Sequence, residues 1–248
     1  MRSTASRGTT VEDAIDRGLP TETKHIGIVA ATAEGAALCY RRICQEAEHI
    51  MGRHAHPEIT MHTFPLHSYL ELIERDDWSH IALLMSKSSA KLSAAGADFV
   101  ICPNNTLHHA FEQVVSVIPW LHIAHVVAKE AVRHGVRRVA VFGTRLLMEG
   151  PVYGHELDEA GIEHVLPEPD DRARIHDIIL TELVRGQFAR RSQVYLYDLI
   201  ARMKAEGCDA VILGCTELPL LIGPDDPALL VLDSTRLLAQ AAVLRATS

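Results

Sequence analysis

The sequence contains no long hydrophobic run, no excess of basic charge and no regular spacing of cysteines. Its formal net charge is −8 and it has no long block of like charges, so the basic footprint of a protein that binds nucleic acid or an anionic membrane is missing. No apolar stretch approaches the roughly 18 residues of a membrane-spanning helix. The polar residues 1–24 also lack the apolar segment of a secretory signal. We therefore expect a cytoplasmic protein with no nucleic-acid partner and no membrane partner.

The five cysteines fit neither a disulfide framework nor a paired zinc-binding pattern. They are Cys39, Cys44, Cys102, Cys208 and Cys215. Most of them are expected to be reduced packing residues. The segment His54-Ala55-His56 has no carboxylate or cysteine at ligand spacing, so no metal site is expected. Glycine-rich phosphate-binding motifs and G-x-S-x-G are also missing, which argues against nucleotide binding and serine-hydrolase chemistry.

Apolar, β-branched segments alternate with amphipathic segments after residue 25. The predicted strands are 25–31, 58–64, one within 97–105, 137–143, 163–166, 209–214 and 229–232. The predicted helices are 33–51, 79–95, 106–115, 124–134, 147–160, 172–186, 190–206 and one that begins near 234. Strands that alternate with helices of this length predict parallel sheets in βαβ units, so the fold class is α/β.

The two halves of the chain resemble each other in where their polar turns fall. Strands 25–31 and 137–143 each lead into a small-residue turn, and segments 99–102 and 210–214 each end in a polar cluster. Parallel sheets bind ligands beyond the carboxyl ends of their strands. All four turns are therefore expected to line one site between two lobes.

Cys215 is the residue with the clearest chemical potential. It follows the apolar strand 209–214 and precedes a predicted helix, a position where backbone N–H groups favour a thiolate. On position alone, a buried cysteine at the end of a strand is an equally good interpretation.

Gly214-Cys215-Thr216-Glu217 resembles the second catalytic motif of the aspartate/glutamate racemases. The resemblance extends over nearly the whole chain after residue 25, and its other parts occur in the family's order. They are Phe99 to His109 (the first motif), Leu121 to Ala124, Val139 to Arg145 with Met148-Glu149, and Pro167 to Arg172 running on to Arg185 to Phe188.

This resemblance implies two similar flavodoxin-like lobes with parallel sheets and an active site in the cleft between them. We expect a polar N-terminal tail at 1–24, lobe 1 at 25–119 plus 226–248, and lobe 2 at 120–225. The implied activity is cofactor-independent inversion of the α-carbon of a small acidic amino acid, without pyridoxal phosphate, in a homodimer. Symmetric members use two cysteines, one on each face of that carbon, because inversion requires abstraction and return of the proton on opposite sides.

The sequence departs from the symmetric pattern at the first cysteine. Alignment of Asn105-Thr106 with the family's Asn-Thr puts Asn104 at that position, and an amide has no useful acid–base pKa. Cys215 is thus predicted to act on one face, with Asn104 marking an atypical opposite face. Cys102 is an alternative source of the second thiol, because it lies two residues upstream and before a proline.

The resemblance also implies residues that bind the substrate. Asn105, Thr106 and Thr216 would offer donors at helix N-termini, with Thr32 as a weaker candidate beside Ala30-Ala31. Arg174 would bind the distal carboxylate, and an exposed helix arginine is an equally good interpretation.

Three further side chains near the predicted site have no definite role from the sequence. Glu217 either orients Cys215 or only caps its helix. His108 and His109 either relay protons or are ordinary helix residues.

Three functions are compatible with these residues. The first is racemisation of an aspartate- or glutamate-type substrate, with Cys215 on one face. The second is a single-cysteine decarboxylase that protonates an enediolate. The third is a catalytically silent homologue that only binds an amino acid.

Overall fold

The chain forms two four-stranded parallel sheets, as the alternation of strands and helices predicts. The structure is a computed structural model that describes residues 23–223 and 228–248, so the predicted polar tail lies outside the described residues except for Thr23 and Lys24. The strands are β1 Ile26–Ala30, β2 Ile59–Thr63, β3 Phe99–Ile101, β4 Trp120–Leu121, β5 Arg138–Phe142, β6 Glu163–Val165, β7 Ala210–Leu213 and β8 Leu230–Asp233. No helix in these described ranges is both long and apolar enough to cross a lipid bilayer.

The two sheets have the same topology. The strand order is β2-β1-β3-β4 in the first sheet and β6-β5-β7-β8 in the second, and all pairings are parallel. We call the first sheet with its helices lobe 1 and the second sheet with its helices lobe 2. In both, the order reverses between the two central strands, β1/β3 and β5/β7. Such a switch point opens a crevice at the carboxyl ends of those strands.

Nine α-helices flank the sheets. They are α1 Ala33–Met51, α2 Leu66–Glu74, α3 Trp78–Ala94, α4 Ile123–Arg133, α5 Arg145–Glu149, α6 Gly154–Glu159, α7 Pro169–Asp177, α8 Arg190–Ala205 and α9 Ser234–Ala246 within the described residues. Thr106–Gln113 and Leu218–Leu220 are 3₁₀ helices. Helix α2 was missed because its apolar residues lie in a short segment directly before α3.

Two predicted helices are wrong in their continuity. Segment 147–160 is two helices, α5 and α6, because Pro151 lies between them and a proline cannot continue a helix. Segment 172–186 begins earlier, at Pro169, and continues as a π-helix at Ile178–Glu182 and a 3₁₀ turn at Leu183–Arg185. The spacing of apolar residues in 172–186 does not reveal where the α-helix changes to a π-helix and then to a 3₁₀ turn.

The central strands of each sheet are buried on both faces, which is typical of parallel sheets. Ile26, Ile28 and Ala30 of β1 pack with α1 and α9 on one face. Val29 and Val100 pack with α3 on the other face. The faces alternate because successive strand residues point to opposite sides. Lobe 2 is built in the same way, with α7 and α8 on one face and α4 and α6 on the other.

The chain crosses between the sheets later than the predicted boundaries at 119/120 and 225/226. Strand β4 pairs with β3 in the first sheet, and β8 pairs with β7 in the second. Helix α9 then returns to pack on α1 of lobe 1. Both strands are short, and an apolar segment does not reveal which sheet it will join.

Candidate active site

The loops that follow β1, β3 and β7 meet at Gly35, in the first turn of α1. A Cβ atom on Gly35 would lie 2.6 Å from Thr32 Oγ1, 3.2 Å from Thr216 Cγ2 and 3.7 Å from the carbonyl oxygen of Pro103. A side chain at this position would therefore displace its neighbours. Parts of both lobes converge here, and the residues next to Asn104 and Cys215 lie in this cluster.

Cys215 lies at the carboxyl end of β7 and is partly exposed. Its Sγ donates a hydrogen bond of 2.8 Å to Glu217 Oε2, which also accepts one of 2.6 Å from the Thr216 hydroxyl. Glu217 thus contacts the thiol directly. It does not serve only as a helix cap.

Two opposing effects act on the Cys215 sulfur. Burial and the neighbouring Glu217 carboxylate raise the pKa of the thiol well above its usual range, although the backbone N–H groups of Glu217 and Leu218 act in the opposite direction. The predicted helix after Cys215 is only the 3₁₀ turn Leu218–Leu220, so its dipole is small. The net effect favours the protonated thiol, whereas the position of Cys215 in the sequence favours a thiolate.

Replacement of Glu217 by glutamine is expected to make Cys215 more reactive. Removal of the carboxylate charge lowers the thiol pKa, and the thiolate fraction rises about tenfold for each unit of that fall. The measurement is the rate of Cys215 alkylation by iodoacetamide at pH 7.5 in a Cys44→Ser background. Thr216→Val, which removes a hydrogen bond to Glu217 but no charge, is the matched control and should change the rate little. Equal alkylation of Glu217→Gln and the parent protein would contradict this assignment.

Asn104 caps the 3₁₀ helix that follows β3. Its Oδ1 accepts a hydrogen bond of 3.1 Å from the Leu107 backbone N–H, and its carbonyl oxygen accepts one of 2.9 Å from His108 Nδ1. The side chain is partly exposed. These contacts assign Asn104 a structural task and give it no proton to transfer.

Asn105 and Thr106 differ in how much of their side chains remains available to a ligand. The Asn105 amide is buried and bonded to Tyr153 and Ser234. Thr106 is partly exposed at the start of the 3₁₀ helix Thr106–Gln113. The first N–H groups of a helix have no intrahelical acceptor. The backbone N–H groups of both residues are therefore suited to bind an anion.

His108 is buried in one defined neutral form. Its Nδ1 donates to the Asn104 carbonyl oxygen, so Nε2 is the nitrogen that accepts the Ile123 backbone N–H at 3.4 Å. Burial lowers the pKa of His108 to about 4. Both nitrogens are thus engaged in the packing of α4 against the Asn104 loop, and His108 is not a proton relay.

The folded protein is expected to lose stability as the pH falls from about 6.5 to about 4. In this range the unfolded chain binds a proton at His108 while the folded protein does not, because the folded pKa lies below the ordinary value of 6.5. This shift corresponds to about 3 kcal/mol of unfolding free energy. Urea unfolding of the parent protein and His108→Gln at several pH values measures it. The difference between the two should change across this range, and a constant difference would contradict the assignment.

His109 lies between the two lobes. Its ring stacks on Trp78 with centroids 3.8 Å apart, and burial lowers its pKa. Its Nδ1 is buried, has no hydrogen-bond partner among the described residues, and lies 3.7 Å from where a Cβ on Gly150 would be. A neutral ring at this contact is consistent with packing between the lobes.

Cys102, the alternative source of a second thiol, lies in the core of lobe 1. It is fully buried with Val29, Tyr69 and Val100. Burial raises its pKa to about 12. The alternation of β3 continues through Cys102 and points it into this core, so the structure does not bring it to the cleft.

Of the remaining predicted ligands, Thr32 belongs to this cluster and Arg174 does not. Thr32 is the residue before α1, and its hydroxyl faces Gly35. Arg174 is exposed on α7 and forms no ion pair with a described residue. The structure thus brings Thr32 and Thr216 together, and leaves Arg174 on the surface.

Two further residues, Tyr153 and Ser234, contact the Asn105 loop and were not identified from the sequence. Ser234 follows β8 directly, so a polar residue at the carboxyl end of that strand was the available signal. No local pattern marks Tyr153.

The two-lobed fold is shared with proteins of known structure. A Yersinia pestis protein with a provisional Asp/Glu racemase assignment aligns with a TM-score of 0.86 and 29% identity, over 91% of this chain and 100% of its own. An aspartate racemase homologue from Pyrococcus horikoshii OT3 aligns with a TM-score of 0.79 and 28% identity, over the same shares. The fold and the cleft thiol define a two-lobed scaffold of the racemase type.

The sequence comparisons agree with this scaffold. The broad specificity amino-acid racemase RacX of Bacillus subtilis (strain 168) is 22% identical over 191 residues, which are 76% of this chain and 81% of that protein. The model of the Asp/Glu/Hydantoin racemase family matches residues 26–242. The chain belongs to this family, and its enzyme class is that of the amino-acid racemases, which are isomerases. The resemblance identified in the sequence is confirmed.

Proposed function

We propose that this protein racemises aspartate- or glutamate-type amino acids without a cofactor, with Cys215 as the acid–base group on one face of the α-carbon. The observation that carries the proposal is the Cys215–Glu217 hydrogen bond at the carboxyl end of β7, in the region where loops of both lobes meet. A cytoplasmic location and a homodimer remain predictions.

The Cys215–Glu217 pair accounts for the proton on one face. Transfer of the thiol proton to Glu217 leaves a thiolate, which can remove the α-proton and become a thiol again. Return of a proton from that thiol to the same face exchanges the α-hydrogen without inversion. Inversion requires a proton from the opposite face, where Asn104 offers none, so water is the proposed donor there. The hydroxide that this water leaves is neutralised by the proton on Glu217, which restores the Cys215 thiol and the Glu217 carboxylate.

The acidic substrate requires local donors, because the protein carries a net charge of −8. Backbone N–H groups of Asn105 and Thr106, together with the hydroxyls of Thr32 and Thr216, are the proposed ligands of the α-carboxylate. Arg174, the proposed ligand of the distal carboxylate, would have to reach the cleft from the exposed side of α7.

A second candidate function follows from the amide at position 104. A site with a single ionisable sulfur is sufficient to protonate an enediolate left by decarboxylation, which needs a proton on one face only. Such an enzyme would act on a disubstituted malonate and would have no requirement for an ammonium-binding group.

Incubation with each enantiomer of aspartate and glutamate in deuterated water separates these functions. Deuterium at the α-carbon measured by mass spectrometry, with chiral analysis of the same sample, reports exchange and inversion independently. The proposal predicts exchange that is faster than inversion. Release of carbon dioxide from a malonate with no exchange into amino acids would favour the decarboxylase, and tight binding without either reaction would favour the silent homologue.

A further inference from the structure

A buried chain of three hydrogen bonds connects the two lobes beside the candidate site. The Tyr153 hydroxyl donates to Asn105 Oδ1 at 2.7 Å, Asn105 Nδ2 donates to Ser234 Oγ at 3.0 Å, and Ser234 Oγ donates to the Leu213 carbonyl oxygen at 2.9 Å. The side chains of Tyr153, Asn105 and Ser234 are all buried. The chain therefore has no solvent to replace a lost partner.

The direction of every bond in this chain follows from its last member. A carbonyl oxygen only accepts, so Ser234 must donate its hydroxyl proton to Leu213. Ser234 Oγ can then only accept from its other neighbour, which must be the amide nitrogen of Asn105. The amide oxygen is thereby turned to Tyr153, which remains a protonated donor because burial raises the pKa of its phenol.

This chain joins the loop that carries Asn104 to the strand that leads to Cys215. Asn105 directly follows Asn104 on the loop after β3, and Leu213 lies two residues before Cys215 in β7. Tyr153 precedes α6 in lobe 2, and Ser234 is the first residue of α9, where the chain returns to lobe 1. The loop after β3 is therefore connected to lobe 2 directly at Tyr153, and at Leu213 through Ser234.

We propose that Tyr153 and Ser234, through the Asn105 amide, are positioning residues that hold the Asn104–Thr106 loop in register with Cys215 across the cleft. The Asn105 side chain then serves this connection and is not a ligand of the substrate, although its backbone N–H stays available. This inference rests on the proposed racemase function, because register across the cleft matters only when both faces of one carbon react.

Tyr153→Phe tests the proposal, because it removes one donor and keeps the packing of the ring. Exchange on the Cys215 face needs Cys215 and Glu217, and saturating substrate offsets weaker binding by the Asn105 and Thr106 N–H groups. Inversion also depends on the Asn104–Thr106 loop, which borders the face where water delivers its proton. At saturating substrate, inversion is expected to fall on the order of 10- to 100-fold, as for a small misplacement of reacting groups, with exchange nearly unchanged. Ser234→Ala, which removes the acceptor of the Asn105 amide and adds no charge, should have the same effect.

Tyr40→Phe is the matched control, because Tyr40 is exposed on α1. It should alter neither rate. A purely structural role of Tyr153 would reduce the active fraction and would lower exchange and inversion by the same factor. Equal reductions in both rates, or no change in either, would overturn the proposal.

A measurement that does not depend on activity distinguishes failure of this proposal from failure of the proposed function. Backbone hydrogen–deuterium exchange, followed by mass spectrometry, should increase in the peptides that contain Asn104–Thr106 and Leu213–Glu217 together in Tyr153→Phe. The same peptides should be unchanged in Tyr40→Phe. If the parent protein exchanges no amino acid, the racemase proposal fails, and a joint increase would still support the connection between the loops. Unchanged protection in both peptides would refute the connection itself.

Discussion

Replacement of Cys215 by alanine is expected to eliminate α-hydrogen exchange into whichever amino acid the parent protein accepts. A positioned acid–base group contributes on the order of 10² to 10⁴ in rate. The described residues offer no second thiol at the cleft, because Cys102 is buried in lobe 1. Glu217 remains in the variant. In the proposed mechanism Glu217 accepts its proton from the Cys215 thiol and does not itself contact the α-carbon, so it is not expected to replace the thiol.

The measurement is deuterium incorporation at the α-carbon in deuterated buffer. Cys44→Ala is the matched control, since Cys44 is a partly exposed cysteine on α1, outside the loops that meet at Gly35. It should retain the parent rate. Thermal unfolding of Cys215→Ala should remain close to that of the parent protein, because the side chain is partly exposed. Undiminished exchange in Cys215→Ala would refute the assignment of this residue.

Replacement of Asn104 by cysteine is expected to increase inversion relative to exchange. The new thiol would supply on the second face the acid–base group that the amide lacks, and the gain for such a group is on the order of 10² to 10⁴. The substitution also removes the cap on the Leu107 N–H, which should cost about 1 kcal/mol of stability. This loss is small compared with the usual stability of a folded domain, so the gain in rate should still be measurable.

Asn104→Ser is the matched control for this variant. Serine has the size of cysteine and caps helices well, but its hydroxyl has no useful acid–base pKa. Inversion that rises equally in Asn104→Ser and Asn104→Cys would show that loop flexibility, and not the thiol, is responsible. No rise in Asn104→Cys would indicate that position 104 does not face the reacting carbon.

Several elements of the fold were predictable because their signals are local. Helix α1 occupies 33–51, as predicted, because its apolar residues recur at helical spacing over the whole segment. Strands β5 and β7, which end directly before Gly143 and Gly214, are predicted from their β-branched residues. The continuous helix predicted at 147–160 was wrong, although Pro151 was visible in the sequence.

The candidate site was predictable in part. The sequence puts all four polar turns at strand ends, and three of them, those after β1, β3 and β7, meet at Gly35. The sequence gives Glu217 no definite role, because its effect on the Cys215 pKa depends on a 2.8 Å contact that spacing does not reveal. The roles of Tyr153 and Ser234 depend on contacts with Asn105, 48 and 129 residues away in the chain.

The amino-acid sequence by itself determined the α/β alternation, the parallel sheets and the positions of Cys215 and Asn104 at the ends of strands. These features follow from periodicity and residue type, which act over a few residues. Only the tertiary structure decided which thiol is buried, which sheet β4 and β8 join, and which side chain holds the two loops together. Burial and long-range hydrogen bonds arise only when distant segments pack, so no local pattern contains them.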